Sequence, residues 1–236
     1  YLTEQIVGDR FEVVTMVPKG SSPETYEPTA RQMADLSESI LYIKVGELGF
    51  ERTWMPRLTS NAPHITVVNS SEGITSHIGD DPHSWMSARN AIIMAHNIYE
   101  AVKRIDVKDS VFFRQRLDSL CNVIHATDKY IRQTTAQAHC KSFIIYHPAL
   151  TYFASDYGLE QLALEEHGRE PSAAELEQII STARAKGVKT MFVQREFANR
   201  NVDIITNTIG ARKVEINPLG YDWNKEMRRI AAEMTN

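Results

Sequence analysis

The chain has 236 residues, of which 42% are hydrophobic and 24% are charged, and its formal net charge is −4. These proportions are average for a globular protein and allow one large domain or two smaller ones. Charges of both signs are interspersed, so no basic stripe indicates nucleic-acid binding. No apolar run reaches the about 18 residues that a membrane-spanning helix needs. The chain opens at Tyr1 without a start methionine, so we expect a leader and a first strand to precede it, and the lack of a signal peptide says nothing about compartment.

The amino-terminal part of the chain alternates strand and helix patterns. The near-continuous apolar run at residues 40–45 is typical of a strand buried on both faces, as in a parallel sheet. Pro28 and Thr29 indicate the start of a helix, with Thr29 as its cap. The order of elements predicts a parallel sheet wound with helices. The predicted elements are a helix ending at residue 7, a strand at 11–17, a helix from 28, a strand at 40–45, a helix at 48–58 and a strand at 65–68.

From Ser87 the hydrophobic pattern becomes helical and continues to about Thr134. A break at residues 106–109 separates two helices. A helix of about 25 residues is about 38 Å long, which is enough to run alongside two lobes and tie them together. We therefore predict an amino-terminal α/β lobe over residues 1–108, a linking helix over 109–138 and a carboxyl-terminal α/β lobe over 139–236.

The carboxyl-terminal part repeats the α/β pattern of the first. Ser172 and Glu175 form a capping box that starts a helix, which Gly187 closes. The predicted fold class is thus α/β, with two lobes of parallel sheet flanked by helices. The predicted strands are at residues 142–146, 159–164, 189–193 and 213–216, and the predicted helices start at 172, 202 and 224.

Polar residues with metal-binding chemistry follow the ends of several predicted strands. Open α/β sheets bind ligands at the carboxyl ends of their strands, and imidazole and carboxylate groups coordinate Zn²⁺, Mn²⁺ and Fe²⁺. We interpret these polar residues as one metal site assembled from two lobes. Such a site suits capture and release of an ion more than catalytic turnover. Motifs of helical metalloproteases, nucleophile-elbow hydrolases and nucleotide-binding loops are absent from the sequence. The residues are Glu24 and His83 in the first lobe and His147, Glu196 and Asn217 in the second.

Four short segments carry a family resemblance: GSSPETYEPT at residues 20–29, DPHSW at 81–85, YHPAL at 146–150 and NPLG at 217–220. Together they resemble the signature segments of the zinc/manganese-type (cluster A-I) substrate-binding proteins of bacterial ABC transporters. The resemblance covers nearly the whole chain, apart from the family's first strand. It implies two α/β lobes bridged by one long rigid helix, with a single metal held in the cleft. It also implies a monomer, periplasmic or lipid-anchored at the outer face of the membrane, that works with a membrane permease.

The resemblance also implies which residues bind the metal. By position His83 and His147 are ligands, and Glu24 stands where the family usually has a histidine. Asn217 stands where many members supply a carboxylate, and of the histidine-rich loop found in zinc members only His77 remains. A His₂Glu set holds zinc in known sites, but exchanging an imidazole for a carboxylate weakens the preference for zinc over manganese or iron.

The fourth coordination position stays open between water and the oxygen donors Asn217, Glu196 and Asp222. Glu27 is expected to position the loop around Glu24 rather than to bind metal. Cys121 and Cys140 form no metal motif, and their pairing in a disulfide stays open. The remaining histidines are interpreted as surface or packing residues; they are His64, His77, His96, His125, His139 and His167.

The predicted function is an extracytoplasmic solute-binding protein that captures a divalent transition metal and delivers it to an ABC importer. Zinc is the expected cargo, with manganese second, and iron is a further candidate. No chemical step is expected, so the chain is not predicted to be an enzyme. Two alternatives stay open: a zinc hydrolase that uses Glu196 as general base, and a degenerate family member that acts as an adhesin or interaction module.

Overall fold

The structure is a computed structural model that describes residues 1–46, 48–76, 78–165, 168–194 and 200–235. The chain divides into two compact units. The amino-terminal unit comprises Tyr1–Trp85 and Arg89–Asn122, and the carboxyl-terminal unit comprises Met86–Ala88 and Val123–Asn236. The predicted partition at residues 1–108, 109–138 and 139–236 stays a prediction.

The amino-terminal unit contains a two-stranded parallel sheet with helices around it. Its strands β1 and β2 pair in register, with Leu41 opposite Thr66 and Lys44 opposite Asn69. The helix α5 begins in this unit and ends in the carboxyl-terminal one. The elements are α1 (Leu2–Val7), α2 (Ala30–Ser37), β1 (Leu41–Lys44), α3 (Gly49–Asn61), β2 (Thr66–Asn69), a 3₁₀ turn (Ser84–Met86), α4 (Ala88–Ile105) and α5 (Ser110–Ala136).

A capping box starts α2, and the predicted cap residue Thr29 is confirmed. The Thr29 side chain accepts a hydrogen bond from the Gln32 backbone N–H, and the Gln32 side chain accepts one from the Thr29 backbone N–H. The hydroxyl of Tyr26 also donates to Gln32 Oε1 over 2.6 Å. These bonds satisfy helix N–H groups that otherwise lack partners. They also tie the loop before α2 to the helix, and this loop carries Glu24.

The predicted strand at residues 11–17 is wrong, because the structure has no strand there. The apolar run has β propensity, but its side chains are half-buried or exposed, and Val14 is 65% exposed. In the described residues the sheet of this unit consists of β1 and β2. β propensity reflects packing against neighbouring strands, so a strand-like pattern without a partner remains irregular.

The carboxyl-terminal unit is built on a four-stranded parallel sheet in the order β4-β3-β5-β6. The strands β3 and β5 are central and entirely buried, so their sequences are nearly continuous apolar runs. The short helix α6 was not predicted from the sequence. The elements are β3 (Ser142–Ile145), α6 (Thr151–Tyr157), β4 (Glu160–Ala163), α7 (Ala173–Ala185), β5 (Thr190–Gln194), α8 (Arg200–Ile209), β6 (Arg212–Ile216) and α9 (Trp223–Glu233).

The predicted capping box of α7 is confirmed. The Ser172 N–H donates to Glu175 Oε2 over 2.7 Å, and the Glu175 N–H donates to Ser172 Oγ over 3.4 Å. The Arg169 guanidinium, which donates to Glu175 Oε1 over 2.7 Å, and the Ser172 backbone N–H lower the pKa of Glu175 to about 2. The helix start is therefore specified by residues within a few positions of each other.

The two parallel sheets with their helices confirm the predicted α/β class. Cys121 and Cys140 are free thiols. Across the described parts of the chain, no helix combines the length and the apolar character that crossing a membrane requires.

Candidate metal site

His83 lies just before the 3₁₀ turn and is oriented by the carboxylate two residues earlier. Its Nδ1 lies 2.6 Å from Asp81 Oδ1, and its backbone N–H donates to the same oxygen over 2.7 Å. The Trp85 ring packs against the imidazole at 5.1 Å between centroids. The residue is only 5% exposed. The ring is therefore held through Nδ1, an arrangement common among histidines that bind metals.

His147 follows β3 at the carboxyl edge of the four-stranded sheet. Its Nδ1 lies 3.2 Å from each carboxylate oxygen of Glu165, a buried residue just after β4. Gln194, the last residue of β5, donates from Nε2 to the His147 carbonyl oxygen over 2.9 Å. Because β3 pairs with both β4 and β5, the ends of three neighbouring strands together position this histidine.

Both candidate histidines thus share one arrangement, in which Nδ1 faces a carboxylate. Histidines that bind metals almost always donate their second ring nitrogen to a carboxylate or carbonyl group, which fixes the tautomer and makes the ligand more basic. Sequence reasoning assigned no role to Asp81 or Glu165. Asp81 could have been found from its place two residues before His83. Glu165 could have been found because it follows a strand predicted next to the one that ends at His147.

Glu24 lies on the loop before α2 and contacts the first turn of α3. Its N–H donates to Ser22 Oγ over 3.3 Å, and the Phe50 N–H donates to the Pro23 carbonyl oxygen over 3.0 Å. In the described part of the chain, Glu24 Oε1 is buried and has no hydrogen-bond partner. Burying a carboxylate oxygen without a partner is costly unless a cation or donor compensates it. The donor chemistry of Glu24 therefore fits a bound divalent cation.

Glu51 holds the turn that follows β1 and was missed by sequence reasoning. Glu51 is only 4% exposed. Its carboxylate accepts hydrogen bonds from the backbone N–H groups of Val45 and Gly46 over 2.7 and 2.6 Å. Burial raises the pKa of Glu51, and these two backbone hydrogen bonds oppose that rise. The buried carboxylate therefore shapes the loop that leads into Gly49 and α3.

We expect Glu51→Gln to lower the free energy of unfolding by about 1–3 kcal/mol, because one amide oxygen cannot replace two carboxylate oxygens for two buried N–H groups. The change also alters the pH dependence. Because folding raises the pKa of Glu51, its contribution to stability is complete below about pH 4 and is lost as the pH rises through the folded-state value.

Urea unfolding at several pH values tests both parts of this prediction. The variant should lack the Glu51 component of the loss of stability towards neutral pH, and Glu72→Gln, which changes an exposed glutamate, should behave like the wild type. Equal stability of Glu51→Gln and the wild type at every pH would contradict the role given to this carboxylate.

The other oxygen donors named from the sequence have local structural roles or are exposed. The Asn217 N–H donates to Glu226 Oε1 over 2.7 Å, and Asn217 Oδ1 accepts the Leu219 N–H over 3.2 Å. Asp222 is the N-cap residue of α9, although its side chain makes no capping hydrogen bond. Glu27 is exposed. The Asn217 side chain therefore supports the turn after β6.

In the residues that the structure describes, no group of three or more histidine, cysteine, aspartate or glutamate side chains is arranged to hold a metal ion. Glu24 and His83 belong to the amino-terminal unit, and His147 belongs to the carboxyl-terminal unit. The three-residue ligand set therefore stays a prediction. Three residues considered from the sequence, Glu196, His77 and His167, lie outside the described residues.

The α/β fold and the carboxylate-oriented histidines are compatible with metal binding, and comparison with known proteins gives the family. The whole chain, residues 1–236, matches the family model described as zinc-uptake complex component A, periplasmic. The chain therefore belongs to this family of metal-binding substrate-binding proteins, as its signature segments predicted.

Individual relatives and a solved structure agree with this assignment. The high-affinity zinc uptake system protein ZnuA of Bacillus subtilis (strain 168) is 27% identical over 239 residues, covering 92% of this chain and 74% of that protein. The manganese ABC transporter substrate-binding lipoprotein PsaA of Streptococcus mitis is 24% identical over 223 residues, covering 87% of this chain and 72% of that protein. A crystal structure of ZnuA superposes with a TM-score of 0.95 at 31% identity, covering 100% of this chain and 94% of that one.

These matches confirm three predictions from the sequence: the family, the α/β fold class and the absence of an enzymatic function. One relative is named as a zinc uptake system protein and the other as a substrate-binding lipoprotein of a manganese transporter, and neither name is that of an enzyme. The zinc hydrolase alternative therefore has no support from the relatives.

Proposed function

We propose that this protein captures a divalent transition metal outside the cytoplasm and delivers it to an ABC importer. Zinc is the expected cargo, followed by manganese and iron. The observation that carries the proposal is the pair of histidines, His83 and His147, each facing a carboxylate through Nδ1. The names of relatives support it, since one is a zinc uptake protein and another is a substrate-binding lipoprotein of a manganese transporter.

The proposed ligands are Glu24, His83 and His147. Two imidazole nitrogens and one carboxylate oxygen suit zinc, which holds three protein ligands and a fourth group in a tetrahedral arrangement. The carboxylate is also a good donor to manganese or iron, so the ligand types alone leave all three metals as candidates. The fourth donor is proposed to be water, Asn217, Glu196 or Asp222.

The proposed partner is an importer permease in the cytoplasmic membrane, and the protein is proposed to work as a monomer. A periplasmic or lipid-anchored location is supported by the description of the family and by a lipoprotein among the relatives. The proposed work of the protein is capture and release of the ion, with no covalent step.

Metal titration tests the proposal directly. The chain is stripped with chelator and titrated anaerobically with Zn²⁺, Mn²⁺ and Fe²⁺, each in competition with a chelator of known affinity. We expect one tightly bound ion per chain, with zinc bound most tightly. A preference for manganese keeps the class of function and changes the cargo. No saturable binding of any of the three would contradict the proposal and favour an adhesin or interaction module.

The orienting carboxylates give a separate prediction. Asp81→Asn and Glu165→Gln should each weaken metal binding by about 10–100-fold, the usual cost of removing the hydrogen-bond partner of a metal ligand. The reason is that a neutral amide orients the imidazole less firmly and makes it a weaker donor. The same competition titration measures the effect, and melting of the metal-free protein shows whether the fold is retained.

Glu160→Gln provides a matched control for Glu165→Gln. Glu160 is also a glutamate of the β4 segment, but it is exposed and pairs with Lys186 over 2.8 Å instead of a histidine. Its variant should bind metal like the wild type. Unchanged metal affinity in both Asp81→Asn and Glu165→Gln would contradict the assignment of the two histidines as ligands.

A further inference from the structure

We propose that Gly49 positions Glu24 for metal binding. Only a residue without a side chain leaves room for Glu24 against the first turn of α3. The inference rests on the proposed function, since it takes Glu24 as a ligand. It adds a residue that has no metal-binding chemistry of its own.

The contact between Gly49 and Glu24 is too close for any larger residue. A Cβ atom added at Gly49 would lie 2.6 Å from the Glu24 carbonyl oxygen and 3.0 Å from Glu24 Oε2. Real Cβ atoms essentially never approach another atom within 3.0 Å. Because the carbonyl oxygen is part of the backbone, rotation of the Glu24 side chain cannot relieve the clash. The loop or the helix would have to move.

Both sides of this contact are held in place. On the loop side, the Phe50 N–H donates to the carbonyl oxygen of Pro23, which is a buried residue. This bond satisfies an N–H group of the first helical turn, where no partner within the helix is available. On the helix side, Glu51 binds the backbone of Val45 and Gly46. The first turn of α3 is therefore tied to the Glu24 loop through Phe50 and to the turn after β1 through Glu51.

Backbone conformation does not explain the glycine. Gly49 is not among the glycines with positive φ, so other residues could adopt its backbone angles. Within helices glycine is also less favourable than alanine. Gly20 provides the contrast, because it has a φ of 85° and an added Cβ there would meet nothing within 4 Å. The close contact with Glu24 therefore explains the glycine at position 49.

A displaced Glu24 would be a poorer ligand. The 2.6 Å contact would have to open by about 0.4 Å to reach 3.0 Å. Distances between metals and their ligands hold to about 0.2 Å, so this movement is large on the scale of a coordination bond. We therefore expect a side chain at position 49 to reduce metal affinity without removing any ligand.

The test combines Gly49→Ala with Glu24→Gln. Gly49→Ala should fold and melt cooperatively without metal and should bind Zn²⁺ at least about tenfold more weakly than the wild type. In the Glu24→Gln background, the same substitution should cause little further loss, because it acts through the Glu24 carboxylate. Arg52→Ala, which changes an exposed residue of the same helical turn, should bind like the wild type.

Several outcomes would overturn the inference. One is wild-type Zn²⁺ affinity in Gly49→Ala, and another is an equal loss with and without the Glu24 carboxylate, which indicates general damage to the fold. If the Gly49→Ala protein does not fold, the glycine is required for folding and not for positioning the ligand. If the wild type binds metal and Glu24→Gln binds it equally well, the inference falls while capture by the histidines stands. Only a wild type that binds no metal removes the proposed function itself.

Discussion

Replacing His83 by alanine is expected to weaken Zn²⁺ binding by more than about 100-fold, because losing a ligand costs more than the 10–100-fold attached to its hydrogen-bond partner. His83 is buried and its ring is held by Asp81, so no nearby flexible side chain is expected to take its place. The measurement is competition titration with a chelator of known zinc affinity, together with melting of the metal-free protein.

His96→Ala is the matched control for this experiment. His96 is an exposed histidine on α4, and its loss should leave Zn²⁺ affinity unchanged. If His83→Ala binds as tightly as the wild type, His83 is not a ligand and the proposed set is wrong. If His96→Ala weakens Zn²⁺ binding as much as His83→Ala does, the loss comes from removing any histidine and not from removing a ligand of one specific site.

Glu24→Gln is the second change with a large expected effect, and it should act in opposite directions on binding and on stability. Two unit charges 4 Å apart gain about 4 kcal/mol at an effective dielectric constant of about 20, which corresponds to about a thousandfold in affinity. Since an amide oxygen keeps part of the coordination, we expect metal affinity to fall by about 100- to 1,000-fold.

The metal-free protein should instead become more stable, by about 1 kcal/mol. The wild type buries Glu24 Oε1 without a hydrogen-bond partner within its described residues, and a neutral amide costs less to bury than a carboxylate. Urea unfolding without metal measures this change in the free energy of unfolding. Glu72→Gln, which changes an exposed glutamate of the same unit, should change neither the metal affinity nor the stability. A Glu24→Gln protein that is less stable and binds metal normally would show that Glu24 is structural.

A metal ligand that is buried without a metal lowers the stability of the metal-free protein. The two glutamates near α3 differ in how far the protein offsets this cost. Glu51 is buried but receives two backbone N–H groups, so the cost of burying its carboxylate is partly offset within the protein. Glu24 has a buried oxygen without such compensation in the described residues. A ligand that keeps unsatisfied bonding capacity in the metal-free state gains more when the ion arrives, which is why Glu24 rather than Glu51 is proposed to bind metal.

The sequence by itself determined the elements whose signals are local. Thr29 and the pair Ser172 and Glu175 were predicted as helix caps, because capping bonds join residues only three positions apart. The buried strands β3 and β5 are mostly apolar, as is typical of strands covered on both faces, and both were predicted from the sequence. The family segments around Glu24, His83 and His147 likewise occupy short stretches of chain.

Asp81, which faces His83, lies two residues away along the chain, but the tertiary structure alone decided which groups face His147 and Glu24. Glu165 meets His147 across 18 positions, because parallel pairing of β3 with β4 brings their carboxyl ends together. Gly49 meets Glu24 because the Phe50 N–H binds the Pro23 carbonyl oxygen. The irregular segment at residues 11–17 shows the same dependence, since its β propensity produced no strand without a partner. Local hydrogen bonds are encoded by spacing along the chain, whereas contacts across the fold depend on strand register and loop packing, which no short stretch of sequence specifies.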